Sequence, residues 1–440
     1  MEKPQYTLIT GRLARKSLER VLGCLSSENL EIRELDCSVA ALMSTDFIAK
    51  NLASLHNKNT EILIPGLCQG SLQPIINATG CHVQRGPDNL WDLPIFFKAE
   101  VREPTTVSTM QIVAEIVDAS RLNIKEILER AAYYRDSGAD IIDLGGNVEG
   151  TFPRLKEVVR ELKTQGFRVS VDSHLKEDIL AASDAGAELV LSLNSYNLEL
   201  AKVLNCSAVI IPDDGESLDS LYRNIEQLEC WNVSYLVDPI LPPPCLGLAA
   251  GIERYAQVRR DFPECRLFMG IGNVTEMIDA DSVGGNAILT AIASELSIQY
   301  VLTTEVSFRA IGAVKEIALA RTLMHKALSQ GRVPKHIDEG LLVMKESSAS
   351  SYSEEDLRQM QCLVHDQSYR IFAADDIYCF NNNIFVQGKS AKEVFSQLDV
   401  RDSSHAFYLG QELERAETAL LLNKKYVQDN PLRWGYMNDS

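Results

Sequence analysis

The chain has 440 residues, too many for one hydrophobic core of ordinary size, so we expect about three domains. Its formal charge of −18 repels phosphate backbones and anionic membrane surfaces, and no apolar run approaches the roughly 18 residues of a membrane span, so we predict neither nucleic-acid nor membrane partners. The amino terminus lacks the pattern of a secretion signal, which predicts a cytoplasmic protein. The ten cysteines include no C-x-x-C pair of the kind that holds zinc.

Residues 1–105 predict a small α/β domain. Strand and helix patterns alternate here as YTLIT, LARKSLERVLGCL, a strand at 32–35, a helix from about Thr45 and the strand EILIPG. We expect no phosphate-binding loop near Lys16, because Arg15 stands where that motif needs glycine. The stretch GPDNLWDLPIFFKAEVREPTT has little periodicity and several prolines, which predicts a linker.

Eight short apolar runs recur over residues 106–335, and a stretch with helical periodicity follows each of them. The runs are QIVAEIVD, ADIIDLGG, FRVSVD, ELVLSLN, SAVIIPDD, VSYLVD, RLFMGIGN and YVLTTE, and the helices are predicted over 124–137, 153–164, 175–185, 197–204, 217–229, 249–261, 282–296 and 309–329. Parallel strands buried on both faces have such continuous apolar runs, and eight strand–helix units close naturally into a barrel. We therefore predict an α/β fold whose centre is a (β/α)8 TIM barrel.

Residues 336–440 predict a third, α+β module. MKESSASSYSEED is polar, YRIFAADDIYCFNNNIFVQGKS predicts a hairpin or meander with turns at its Asp and Asn clusters, and LGQELERAETALLLNKKY predicts a long helix.

Each of the eight apolar runs ends in a polar residue, where a buried strand has no need of one. These residues are Asp118, Asp143, Asp172, Asn194, Asp213 with Asp214, Asp238, Asn273 and Glu305. All strand carboxyl ends of a TIM barrel open on one face, so the eight ends would share one mouth. Any one of these side chains could instead cap a helix. Together they predict a ligand rich in N–H donors, such as a pterin or another fused aminopyrimidinone.

Four motifs in this order and spacing, GADIIDLGGN, VSVDS, LSLNS and VDP, resemble the pterin-binding barrel shared by dihydropteroate synthases and methyltetrahydrofolate:corrinoid methyltransferases. The resemblance covers about half the chain. It implies that Asp238 accepts from the pterin amine and N3 edge, and that Asn194 and Asp172 bond the opposite edge. Gly145 and Gly146 would let the backbone turn tightly beside the ligand.

The three-part layout, with HAFYLGQELERAETALLLNKKYVQD near the carboxyl end, also resembles dihydropteroate synthase-related proteins associated with tetrahydromethanopterin biosynthesis. Barrels of this family commonly pair through their outer helices, which implies a homodimer.

The sequence departs from the dihydropteroate synthase pattern at the first, seventh and eighth strands. Asn273 lies near the position of an expected lysine, and Leu302 and Thr304 stand where arginine and histidine are expected. Asp118 replaces an asparagine of the first-strand loop, where the resemblance implies catalysis with Mg²⁺ held nearby. Arg309 could still supply a cation to a phosphate.

Two reactions and one non-catalytic role remain open. In the first reaction, which the family layout favours, an arylamine attacks the CH2 carbon of a pterin pyrophosphate, as in folate or tetrahydromethanopterin biosynthesis. In the second, a methyl-tetrahydropterin gives its methyl group to a separate corrinoid protein, with Asn273 acting near N5. GIGNVT followed by Asn286 is similar to that methyltransferase pattern. In the third interpretation the chain is a pterin-binding subunit without catalysis.

Overall fold

The computed structural model describes residues 5–23, 29–52, 60–97, 108–146, 150–215, 217–346 and 352–439. The chain divides into two compact units, Met1–Ile337 and Asp338–Ser440. The first unit holds a four-stranded and an eight-stranded sheet, and the second holds a three-stranded sheet. No helix in the described ranges is long and apolar enough to cross a membrane. The predicted division into domains at 1–105, 106–335 and 336–440 remains a prediction.

The amino-terminal sheet is parallel and has the strand order β2-β1-β3-β4. Its strands are β1 (Gln5–Thr10), β2 (Leu30–Glu34), β3 (Thr60–Ile64) and β4 (His82–Arg85), and its helices are α1 (Arg15–Gly23), α2 (Thr45–Leu52) and α3 (Gln73–Thr79). Apolar residues of α2 and α3 pack on one face of the sheet, which buries Ile48, Leu52 and Ile75 completely.

The predicted linker after β4 is partly ordered structure. A 3-10 helix at Leu90–Asp92 leads into α4 (Leu93–Phe96), and the prediction of an irregular segment is wrong here. The reason is burial, because Leu93 packs with Leu8 and Leu18 against the sheet. Residues 98–106 of the predicted linker lie outside the described residues.

The eight-stranded sheet is a (β/α)8 barrel, as predicted. Its strands are β5 (Gln111–Ile116), β6 (Ile141–Gly145), β7 (Val169–Asp172), β8 (Leu189–Leu193), β9 (Ser207–Ile210), β10 (Tyr235–Val237), β11 (Phe268–Gly270) and β12 (Tyr300–Thr304). They pair in parallel in the order β10-β9-β8-β7-β6-β5-β12-β11, and a parallel bridge between Val237 and Leu267 joins the two ends. Inward side chains such as Val113, Leu191 and Phe268 fill the barrel centre, which is a packed core and not a pore.

The outer layer consists of α5 (Ile124–Asp136), α6 (Leu155–Thr164), α7 (Lys176–Ala185), α8 (Asp219–Trp231), α9 (Leu248–Asp261), α10 (Gly272–Thr275), α11 (Ser282–Glu295) and α12 (Ala313–Ser329). The fourth predicted helix is only a 3-10 turn at Leu198–Lys202, which corrects that prediction. Helix α5 begins at a capping box, in which Asn123 and Glu126 each bond the other's backbone N–H.

The described part of the second unit is an antiparallel meander with three α-helices and a 3-10 helix at Gly435–Asp439. It contains α13 (Glu354–Cys362), β13 (Arg370–Ala373), β14 (Ile377–Phe380), β15 (Phe385–Gly388), α14 (Ala391–Phe395) and α15 (Ser403–Leu422). Strand β14 lies between the other two strands, and α15 buries Leu409 and Leu413 against the sheet. The predicted meander and long helix are both present.

Candidate functional site

Strand register brings acidic side chains together inside the barrel. Glu115 of β5 pairs with Asp143 of β6, and Asp143 pairs with Ser170 of β7. Asp172 lies two residues further along β7 and therefore points to the same side as Ser170. One carboxylate oxygen from each of Glu115, Asp143 and Asp172 lies within 4.8 Å of the other two. We call these three residues the acidic floor.

Burial raises the pKa of each carboxyl group in the acidic floor, and repulsion from neighbouring acids adds to this effect at Glu115 and Asp143. Burial, together with the smaller effect of the negative charges of Asp172, Asp118 and Glu276, raises the pKa of Glu115 to about 7. Asp143 is fully buried, and burial is also the main reason that its pKa lies well above its ordinary value. Burial raises the pKa of Asp172 to about 6, against a smaller opposing effect of His174. The floor therefore favours protons or cations.

Asp238 lies just beyond β10 and is held by hydrogen bonds to one of its oxygens. Its Oδ1 accepts from the Ile240 backbone N–H at 2.7 Å and from the Tyr255 hydroxyl of α9. Burial raises the pKa of Asp238 to about 6, although both of these hydrogen bonds lower it. Arg254 does not bond the carboxylate but donates to the carbonyls of Pro239 and Ile240. The second oxygen, Oδ2, has no hydrogen-bond partner among the described residues, so a ligand can use it.

Asn194 follows β8 and is fixed by a local turn. Its side-chain oxygen accepts from the Tyr196 backbone N–H at 3.1 Å, and its own backbone N–H donates to Asn197 at 2.8 Å. The side-chain NH2 group is the part of Asn194 that makes no bond in the described chain. Asn194 can therefore donate, while Asp172 and Asp238 can accept.

Gly145 and Gly146 leave room beside the acidic floor. A Cβ atom at Gly145 would lie 2.6 Å from Glu115 Oε1, and one at Gly146 would lie 2.8 Å from the Asp172 carbonyl oxygen. Both positions need glycine because of this close approach rather than an unusual backbone angle. The asparagine that ends the GADIIDLGGN motif, at position 147, lies outside the described residues.

Two residues with predicted catalytic roles are already paired. Asp118 has a left-handed backbone, lies about half exposed and accepts from Arg121 at 3.1 Å. A lone carboxylate that is paired with arginine does not fit the expected set of Mg²⁺ ligands. Arg309 pairs with Asp279 at 2.5 Å and donates to Ser307 at 3.2 Å. Their predicted roles in catalysis and metal binding remain untested predictions.

Three other residues of the predicted mouth have structural bonds. Asn273 is exposed, and its side-chain NH2 donates to the Leu241 carbonyl at 3.1 Å. Glu305 is buried and accepts from the Tyr133 hydroxyl at 3.0 Å and from a backbone N–H in the first turn of α12 at 3.1 Å, so it anchors helices. Asp213 accepts from the backbone N–H of Ser195 at 2.9 Å. Both carboxylate oxygens of Glu305 are therefore used in these contacts, and its place in a common cluster of strand ends stays a prediction.

Comparisons with known proteins give the following similarities. Residues 5–88 match the model of DUF6513, a family of unknown function, and residues 352–429 match the model named PterinBD-DUF4346. An uncharacterized protein of Methanocaldococcus jannaschii is 28% identical over 96% of this chain and 98% of its own length.

Among solved structures, the dihydropteroate synthase of Yersinia pestis with a pterine-sulfa conjugate is 20% identical over 50% of this chain and 93% of that chain, with a TM-score of 0.40. The dihydropteroate synthase of Thermus thermophilus is 19% identical over 49% of this chain and 93% of that chain, with a TM-score of 0.39. The predicted resemblance is confirmed. It concerns the fold of dihydropteroate synthase-like proteins, while the link to tetrahydromethanopterin biosynthesis remains a prediction.

Sequence reasoning missed three residues of this site. Glu115 lies inside strand β5 rather than at its end. The only sequence feature that points to it is the alternation of side chains along a strand, which places it on the same side as Val113. Ser170 donates to Asp143 Oδ1 at 2.5 Å, and the register that pairs them could follow from a correct alignment of the two strands. Tyr255 lies 17 residues after Asp238, on the following helix, and carried no sequence signal.

A separate cavity lies at the carboxyl ends of β1 and β3. It measures about 330 Å³ and is lined mainly by apolar side chains, among them Leu8, Leu18, Leu63 and Leu93. It offers few polar side chains, so the chemistry of the barrel mouth has no counterpart there.

Proposed function

We propose that the barrel binds a pterin through Asp172, Asn194 and Asp238. The carboxylate of Asp172 carries this proposal, because it is partly buried and makes no hydrogen bond with any described residue. Buried acceptors without donors are costly, so a ligand that brings N–H groups would be stabilised here.

The three side chains suit the two edges of a pterin. Asp238 would accept from the exocyclic amine and the neighbouring ring N–H mainly through Oδ2, because Oδ1 already accepts from Ile240 and Tyr255. Asn194 and Asp172 offer donors and acceptors to the opposite edge. The PterinBD-DUF4346 model matches residues 352–429, which lie outside the barrel, so it supports pterin as a ligand of the protein rather than the choice of these three residues.

We propose a transferase reaction of the dihydropteroate synthase type. The nitrogen of an arylamine would attack the pterin CH2 carbon, the bond from that carbon to the pyrophosphate oxygen would break, and the nitrogen would lose a proton. The barrel would contribute mainly by holding the two reactants in line.

Methyl transfer from a methyl-tetrahydropterin to a separate corrinoid protein is the second candidate. The pairing of Arg309 with Asp279 favours this reaction. Arg309 is the only basic residue between positions 271 and 312, so its ion pair leaves this stretch without a free cation for a pyrophosphate leaving group. A methyl-tetrahydropterin carries no pyrophosphate and needs no cation for a leaving group. A pterin-binding subunit without catalysis is the third possibility.

Calorimetry with 6-hydroxymethylpterin tests the binding site. We expect Asp238→Ala and Asn194→Ala each to weaken binding at least about 100-fold, because each removes a hydrogen-bonding edge. Asp184→Asn is the matched control, since Asp184 is an exposed acid of the same barrel that pairs with Lys156 at 3.0 Å. Unchanged affinity in both site variants would reject the assignment.

Two assays separate the reactions. Incubation with 6-hydroxymethyl-dihydropterin pyrophosphate and an aminobenzoate should release pyrophosphate, and the absence of release with every arylamine tried would reject condensation. A spectral change of an added cob(I)alamin protein on mixing with methyl-tetrahydropterin would instead support methyl transfer. A protein that binds pterin and is inactive in both assays would fit the non-catalytic role.

A further inference from the structure

The acidic floor contains a buried atom that the pterin proposal does not use. Asp143 is fully buried, and its Oδ1 accepts from the Ser170 hydroxyl at 2.5 Å. Its other oxygen, Oδ2, is buried and has no hydrogen-bond partner in the described part of the chain. A buried carboxylate oxygen without a partner costs free energy, so its persistence calls for a ligand.

The other two carboxylates complete a set of oxygens around that atom. Glu115 and Asp172 each bring one oxygen within 4.8 Å of the others, and neither side chain bonds another described residue. Bonds of 2.0–2.6 Å from a central cation span about 4–5 Å between opposite ligands, which matches this separation. Glycine at position 145 keeps the space beside Glu115 open.

We propose that Glu115, Asp143 and Asp172 bind a hard divalent cation of the Mg²⁺ and Mn²⁺ class. All three ligands are oxygens with no cysteine or histidine in the set, a composition that suits hard cations better than zinc. This places the cation inside the barrel rather than at Asp118. The cation site rests on the proposed function only because the two sites share Asp172. One oxygen of Asp172 would bind the cation and the other would accept from the pterin.

The cation would also resolve the electrostatics of the floor. No Lys or Arg of the described barrel forms an ion pair with any of these three carboxylates, which lie close together. A divalent cation at their centre would supply the missing positive charge.

Titration with Mn²⁺ tests the site. The full-length protein is stripped with EDTA, desalted and titrated at pH 7.5 without pterin, and free Mn²⁺ is followed by electron paramagnetic resonance. We expect one site per chain, weakened at least about 10-fold in Glu115→Gln and in Asp143→Asn. Asp184→Asn, at the exposed acid that pairs with Lys156, should leave Mn²⁺ affinity unchanged, and Asp118→Asn should weaken it less than Glu115→Gln does. Circular dichroism checks folding, and Glu115→Gln, at a partly exposed position, serves if Asp143→Asn does not fold.

The outcomes are distinguishable from those of the pterin test. The absence of a stoichiometric Mn²⁺ site in the wild-type protein would overturn the inference, as would a site lost in Asp118→Asn but kept in Glu115→Gln. Asp238→Ala should lose pterin and keep Mn²⁺. If the wild-type protein binds Mn²⁺ but not pterin, the proposed function fails and the cation site stands.

Discussion

At the scale of single residues, Asp238 shows how the barrel balances two opposing effects. Burial raises its pKa to about 6, while hydrogen bonds from Tyr255 and Ile240 favour the ionised form. The ionised form is the better acceptor for the N–H groups of a pterin edge, because protonation turns one carboxyl oxygen into an O–H donor. Under the pterin proposal, Tyr255 is therefore a positioning residue that also lowers the pKa of the acceptor.

Pterin affinity should decrease at low pH, where Asp238 becomes protonated. Affinity should be constant well above pH 6 and fall as the pH drops through about 6, because protonation removes the acceptor. In Tyr255→Phe the pKa of Asp238 should rise further, which moves the midpoint to higher pH with little change in affinity at pH 8.5. Fluorescence titration of the pterin from pH 5 to 9 measures this. An equal loss of affinity at every pH would indicate a merely structural role for Tyr255.

Residues at strand ends were predictable, and residues within strands or on distant elements were not. Asp172 and Asp238 interrupt the apolar pattern at the carboxyl ends of strands, where packing does not require a charge. Glu115 lies within β5, and its partners follow only from the register of three strands. Asp118 looked equivalent in sequence, but its turn directs it to Arg121.

At the scale of elements, all eight barrel strands could be predicted from apolar runs in the sequence. A strand that is buried on both faces consists almost entirely of apolar residues. The prediction of the fourth helix is wrong, because this segment forms only a 3-10 turn at Leu198–Lys202. The turn buries Leu198, Leu200 and Ala201. Asn286 of α11, which belongs to the segment similar to the methyltransferase pattern, is fully buried and donates to Glu316 of α12 at 2.7 Å.

Asn286→Ala should therefore lower stability and leave pterin affinity unchanged. Glu316 is buried and also accepts from Ser282 at 2.7 Å, so removing the amide takes away one of its donors. We expect a loss of about 1–3 kcal/mol in the free energy of unfolding. Urea denaturation measures the stability, and calorimetry with 6-hydroxymethylpterin measures the affinity. Lost pterin binding at unchanged stability would show that Asn286 belongs to the site.

At the scale of the whole molecule, the two compact units have separate hydrophobic cores. The barrel core and the core of residues 338–440 are built from different residues. In the second unit, buried Lys424 donates to the carbonyls of Val343 and Arg433, and Tyr436 donates to Gly340. These bonds join the first and last segments of the unit, which was not predictable because a lysine in a polar stretch gives no sign of burial.

The two units should consequently unfold in separate thermal transitions. Lys424→Met should lower the free energy of unfolding of residues 338–440 by about 1–3 kcal/mol, because two buried carbonyls lose their donor. Only the transition temperature of that unit should fall. Saturating 6-hydroxymethylpterin should raise only the transition of the unit that contains the barrel, since a ligand stabilises the fold that binds it. Differential scanning calorimetry of the wild-type and variant proteins, with and without pterin, measures both shifts. A single transition that shifts with either change would show that the two units unfold together. A pterin-induced shift confined to the transition of residues 338–440 would show that pterin binds outside the barrel.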